Sequence, residues 1–161
     1  MKALNINLQI KEYERAEELS EGYQLLIKKA SDAAHGAYAP YSTFYVGAAV
    51  LLENGEIITG NNQENAAYPS GLCAERVALF YANAHFPNVK VNAIAIVAFL
   101  NNQTMADEPV PPCGSCRQVI MESQLRQQKP VTLILVGKNK IQLIEDASLL
   151  LPLYFNKRML L

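Results

Sequence analysis

Apolar and polar positions along the chain change period several times, and each change marks an element. Leu4, Ile6, Leu8 and Ile10 alternate with polar neighbours, the two-residue period of a strand over 3–10. Residues 11–20 are densely charged and read as a solvated connector or a helical turn. Tyr23, Leu26, Ile27, Ala30, Ala33 and Ala34 then recur at helical spacing. Ser20 is placed to cap that helix, and Gly36 and Pro40 stop it. A strand over 44–53, a tight turn at Asn54-Gly55 and a partner over 56–60 form a hairpin. A polar loop over 61–72 leads into a helix over 74–86, with Val77, Ala78 and Tyr81 on one face. Residues 91–99 are almost continuously apolar, as in a strand covered on both faces. A long Pro-rich loop over 100–112 precedes a helix over 114–128. Strands over 131–136 and 141–144 follow, then a short apolar helix near Ala147, Pro152, Tyr154 and Phe155.

Helices alternating with apolar strands indicate a layered α/β domain with a mixed sheet. Helical crossovers of this kind collect helix N-termini at one sheet edge, where ligands sit. At 161 residues the chain makes one domain. A hydrophobic fraction of 50% and a charged fraction of 18% exclude disorder. Lys and Arg total 14 against 15 Asp and Glu, for a net charge of -1. That excludes a general electrostatic grip on a nucleic acid polymer, and it argues against a membrane surface as partner. No apolar run approaches the ~20 residues of a spanning helix. The first residues lack the continuous apolar core of a secretory signal. Three cysteines, an odd number, argue against a disulfide framework and predict a reducing, cytoplasmic setting.

Two segments carry the chemistry: Cys73-Ala74-Glu75-Arg76 and Pro112-Cys113-Gly114-Ser115-Cys116-Arg117. Each opens a predicted helix. Side chains three apart on a first helical turn are neighbours, so Cys113 and Cys116 can share one metal ion. Cys73 supplies a third sulfur from the other helix. Helix N-termini lower thiol pKa values and favour the thiolate that binds metal. Three thiolates leave one tetrahedral position for water, the pattern of a catalytic rather than a structural zinc site. Such a site is net negative, which weakens the ion as a Lewis acid. Arg76, three positions after Cys73, can hydrogen-bond sulfur and withdraw that charge. Glu75, beside a ligand yet not one itself, can reach the bound water and move protons.

Less eventful readings stand beside this one. Cys73 alone suits a buried core residue, and Cys113-Gly-Ser-Cys116 alone suits a thioredoxin-like redox pair. A closed structural site, or a non-catalytic zinc module for assembly, needs a fourth ligand. Only His35 and His85 could supply it, and neither has a usual spacing.

The pair Cys-Ala-Glu and Pro-Cys-x-x-Cys resembles the zinc nucleoside and nucleobase deaminases, closest to the small three-cysteine cytidine deaminases. Asn62-Gln63-Glu64-Asn65-Ala66-Ala67-Tyr68-Pro69 resembles their ribose-binding loop, and Ala39-Pro40-Tyr41-Ser42-x-Phe44-x-Val46-Gly47 their base-pocket strand. Leu150-Leu151-Pro152 with Phe155 resembles their C-terminal segment. The resemblance covers residues 21–156. It implies a three-layer α/β/α sandwich around a mixed five-stranded sheet, here with an extra N-terminal strand. It implies one zinc ion per chain on Cys73, Cys113 and Cys116, with a zinc-held hydroxide attacking C4 of cytosine and Glu75 shuttling protons. The Ala74 N–H would hold the base O2, and Asn62 and Glu64 the sugar 3′-hydroxyl. Phe44 would pack on the pyrimidine, Tyr68 would lie near the sugar, and Phe155 would arrive from a neighbouring subunit of a homotetramer. The implied reaction converts cytidine and 2′-deoxycytidine to the uridines, as in pyrimidine salvage. A blasticidin-type modified nucleoside is the alternative substrate. Residues 1–20 read as an extension ahead of a catalytic domain over 21–161.

Overall fold

The computed structural model describes residues 1–101 and 104–160. Residues 102 and 103 of the predicted long loop, and Leu161 of the tail, lie outside them. The elements in chain order are β1 (Lys11–Tyr13), α1 (Glu21–Ala34), β2 (Phe44–Leu52), β3 (Ile57–Asn61), α2 (Ala74–His85) and β4 (Val91–Leu100). They continue with β5 (Thr104–Met105), α3 (Gly114–Gln127), β6 (Thr132–Val136) and β7 (Ile141–Ile144). A 3₁₀ turn at Ala16–Glu18 supplies the helical turn read as one alternative for residues 11–20, and a 3₁₀ turn at Ala147–Leu150 stands where a short tail helix is expected.

The sheet runs β1-β7-β6-β4-β2-β3, with the two-residue β5 set against β4. β4 and β6 pair in parallel; the other described pairs are antiparallel. The expected five-stranded mixed core is therefore β2, β3, β4, β6 and β7, with β1 and β5 as additions. Period-two alternation survives inside the continuously apolar strands. Ala93, Ala95 and Val97 of β4 pack with Leu26, Ala30 and Ala34 of α1 in one core cluster. Ile94 and Ile96 pack with Ala78 and Leu79 of α2 and Ile120 of α3 in the other. One helix on one face and two on the other give the three layers.

Two glycines set the distance between layers. A Cβ on Gly47 would stand 1.9 Å from the Ala30 carbonyl oxygen, and one on Gly60 would stand 2.6 Å from the Ala74 carbonyl oxygen. The helices lie directly on strand backbone there, and Gly60 fixes where α2 begins. At the hairpin, Gly55 has φ +88°, a left-handed value that glycine adopts without strain.

The N-terminal strand forms later than the alternation predicts. Residues 1–10 join no strand and are exposed throughout, and pairing starts at Lys11. The reason is the partner's length: Lys11 already faces Leu143, one position from the end of β7. Beyond it the chain leaves the sheet for the 3₁₀ turn, so the alternating residues find no ladder within this chain.

Candidate active site

Because β3, β4 and β6 run parallel, the helices that follow β3 and β4 start at the same sheet edge. Cys73 is the N-cap of α2 and Cys113 the N-cap of α3, both with extended backbone. Neither side chain caps its own helix, so both sulfurs are free to face each other. Cys73 Sγ lies 3.8 Å from Cys113 Sγ, and Cys113 Sγ lies 3.5 Å from Cys116 Sγ. All three sulfurs fall within 4.8 Å of one another. Tetrahedral Zn–S bonds of about 2.3 Å need sulfurs a little under 4 Å apart, so the trio fits the ion. Among the described residues this cluster contains neither histidine. His85 stacks on Tyr81 with ring centroids 3.8 Å apart, and His35 packs against Phe99.

The electrostatics agree with a thiolate centre. The Cys73 thiol is drawn down to about 5, chiefly by the hydrogen bond from Cys116, with Arg76 adding to it. Cys116 is pushed up in turn, because its thiol donates to Cys73 and is buried. Arg76 Nη2 stands 3.6 Å from Cys73 Sγ. Its Nε is buried and finds no protein partner among the described residues. Glu75 is 4% exposed, and burial raises its carboxyl above the usual carboxylate range. A buried acid that holds a proton more readily than usual is suited to carry one.

In front of the sulfurs opens a cleft of about 660 Å³. Phe44, Asn62, Glu64, Tyr68, Ala74, Glu75 and Arg76 all line it, as do Cys73 and Cys113. Ala74 is the first residue of α2, so its N–H has no partner within the helix, and the residue lines the cleft. The Asn62 side chain also clamps β2: its Oδ1 accepts from the Val46 N–H at 2.7 Å, and its Nδ2 donates to the Phe44 carbonyl at 2.9 Å. Glu64 Oε2 accepts from the N–H groups of Tyr41 at 2.8 Å and Ser42 at 3.3 Å. The Ser42 hydroxyl, foremost, and the Tyr41 N–H hold the Glu64 carboxyl below its ordinary value, so it stays anionic.

Phe155 stands apart from the other predicted site residues. It is 59% exposed, and it does not line the cleft of its own chain. Its carbonyl accepts from Gln118 Nε2 at 2.8 Å. Arg117 closes the second cysteine segment without a role legible in the sequence, and it ties the metal loop to the tail. Its Nε donates to the Pro112 carbonyl at 2.9 Å and its Nη1 to the Leu150 carbonyl at 3.0 Å. Tyr41 and Ser42, which seat Glu64, likewise carry no signal beyond their place in the matched motif. Only the fold brings residues 41–42 to residue 64.

The family profile described as "Cytidine and deoxycytidylate deaminase zinc-binding region" matches residues 20–132. A cytidine deaminase of Halalkalibacterium halodurans is 52% identical over 99 residues, which span 62% of this chain and 70% of that protein. One from Mycobacterium tuberculosis is 40% identical over 112 residues, covering 68% and 79%. The crystal structure of a cytidine deaminase from Burkholderia pseudomallei superposes with a TM-score of 0.71 at 36% identity, covering 83% of this chain and 98% of that one.

Proposed function

The chain belongs to the cytidine and deoxycytidylate deaminase family, and we propose that it converts cytidine and 2′-deoxycytidine by hydrolysis to uridine and 2′-deoxyuridine. The carrying observation is the close trio of sulfurs at two helix starts with buried Glu75 beside it. Cys73, Cys113 and Cys116 hold one zinc ion per chain. When bound, zinc supplies the Lewis acidity that makes water a nucleophile near neutral pH. Arg76 withdraws negative charge from the thiolates.

The chain's own residues do the rest. Glu75 takes a proton from the attacking water and delivers it to N3 of the base. It then takes the second proton of that water, from the hydroxyl now on C4, and passes it to the amino group as the C4–N bond breaks and ammonia leaves. Each turnover forms one C4–O bond and breaks one C4–N bond. The Ala74 N–H donates to the base O2, and Phe44 packs on the pyrimidine. Glu64 and the remaining capacity of the Asn62 amide hold the sugar 3′-hydroxyl, with Tyr68 beside the sugar. We place the working enzyme in the cytoplasm as a homotetramer in which Phe155 reaches a neighbouring subunit's cleft. Exposure of Phe155 away from its own site supports that arrangement. Residues 21–161 form the catalytic domain and residues 1–20 an extension.

The family includes enzymes of nucleosides and of nucleotides, and the cleft favours the former. Among the described residues its one lining cation, Arg76, faces Cys73, while Glu64 is anionic at the proposed sugar end. A 5′-phosphate would meet repulsion and no free positive partner among the described residues. The test is a panel of cytidine, 2′-deoxycytidine, their 5′-monophosphates, free cytosine and a blasticidin-type nucleoside, with zinc quantified on the same preparation. The two nucleosides should each release one ammonia. The monophosphates should lose about 100-fold or more in kcat/KM, as like charges in apposition cost several kcal/mol. Equal turnover of the monophosphates, or no ammonia from cytidine on zinc-loaded protein, would overturn the reading.

A further inference from the structure

The family match begins at residue 20, so the arm ahead of it is not part of the deaminase match. Leu4, Ile6, Leu8 and Ile10 are exposed by 82%, 48%, 42% and 40%, on alternate positions. An alternating run of this kind is the pattern of a half-buried strand, yet nothing in the chain buries it. The run leads straight into β1, the outermost strand of the sheet. An outermost strand offers a row of unpaired N–H and C=O groups on its far side.

We propose that residues 2–12 pair antiparallel with the same segment of a second copy of this chain, about a two-fold axis at Asn7, joining the two sheets through their β1 edges. One register matches the side chains. Leu4 faces Ile10 and Ile6 faces Leu8 on one side; Asn5 faces Gln9 and Asn7 faces Asn7 on the other. The same register sets Lys2 of each copy opposite Glu12 of the other, the opposite charges that cross-strand pairing favours. Glu12 contacts Gln142 and Lys140 through Oε1, which leaves Oε2 to face the incoming ammonium. Residues 3–10 bear no charge, so the two arms do not repel. A shift of two residues one way sets Lys2 against Ile10. The same shift the other way sets Leu4 against Glu12. A shift of one, in either direction, sets Leu4, Ile6 and Leu8 each against a polar residue. The pairing is not an isolated ribbon, which would be marginal in water, because each end abuts an existing sheet.

Two measurements on the zinc-loaded full chain test this. Sedimentation equilibrium should give the Ile6→Lys/Leu8→Lys variant the mass of the homotetramer and wild type twice that mass, two catalytic tetramers joined through their arms, with zinc content and per-chain cytidine turnover the same in both. Under mild oxidation with oxidised glutathione, Asn7→Cys should form a covalent dimer at least about tenfold faster than Asn5→Cys. Residue 7 faces itself across the axis, whereas residue 5 faces residue 9, and a disulfide needs Cα atoms within about 7 Å. Equal masses for wild type and the lysine variant, or equal crosslinking rates at the two positions, would overturn the proposal.

Discussion

At the scale of single residues, Glu75 and Arg76 sit side by side, and the roles proposed for them can be separated by experiment. Glu75 is buried and outside the sulfur cluster, so its loss should leave metal in place. Glu75→Ala is expected to retain about one zinc per chain while kcat falls by about 10²–10⁴-fold, the usual worth of a positioned proton carrier. Metal analysis alongside an ammonia assay checks this, and a kcat within tenfold of wild type would remove the proton role. The role proposed for Arg76 runs through sulfur. Arg76→Lys keeps the charge but loses the planar fork that reaches Cys73 at 3.6 Å. It should cost about 10–100-fold in zinc affinity or in activity, as partners behind metal ligands do. A competition titration with a chromogenic chelator, read beside kcat, separates those two losses.

At the scale of elements, the site is only as precise as the starts of α2 and α3. Gly60 lets α2 lie on β3: a Cβ there would meet the Ala74 carbonyl oxygen and the Ala78 nitrogen, both at 2.6 Å. Gly60→Ala should therefore lose about 1–3 kcal/mol of stability. It should also reduce zinc stoichiometry, because Ala74 adjoins the Cys73 ligand. Gly22→Ala is the natural control, since nothing lies within 4 Å of a Cβ at that position of α1. It should leave stability unchanged or raise it by up to about 1 kcal/mol. Thermal melts of both variants, with zinc counted, distinguish a local clash from a general effect of adding a methyl group. On α3 the ties are polar. Arg117 holds the Pro112 carbonyl just ahead of Cys113 and the Leu150 carbonyl of the tail. One side chain thereby links a metal ligand to the segment that carries Phe155.

At the scale of the whole molecule, the fold and the metal centre are built from different parts. The two core clusters pack α1 on one face of the sheet and α2 with α3 on the other, and neither cluster includes the three cysteines. Removal of zinc with a strong chelator should abolish turnover while far-ultraviolet circular dichroism and a cooperative melt persist. The melting temperature should fall, because a ligand bound only to the folded state stabilises it by mass action. Readdition of zinc should restore activity. Unfolding on chelation would show that the ion, rather than the two cores, holds the layers together. Assembly has its own test. Phe155→Ala should raise KM for cytidine while the zinc content stays at one per chain. An unchanged KM would remove Phe155 from the neighbouring cleft.

The sequence by itself determined the order and type of nearly all elements, because helix and strand periods are local properties of the chain. It also identified the sulfur trio, since two cysteines at helical spacing and a third at another helix start make a pattern with few other uses. The tertiary structure decided what depends on neighbours distant in sequence. The parallel run of β3, β4 and β6 brings two helix starts together and sets Cys73 Sγ 3.8 Å from Cys113 Sγ. Hydrogen bonds across more than fifteen positions turn Asn62 into a clamp on β2 and seat Glu64 on Tyr41 and Ser42. The alternating arm shows the limit most directly. Its period is that of a strand, but a strand also needs a partner, and β7 ends at Ile144 before the arm can use it.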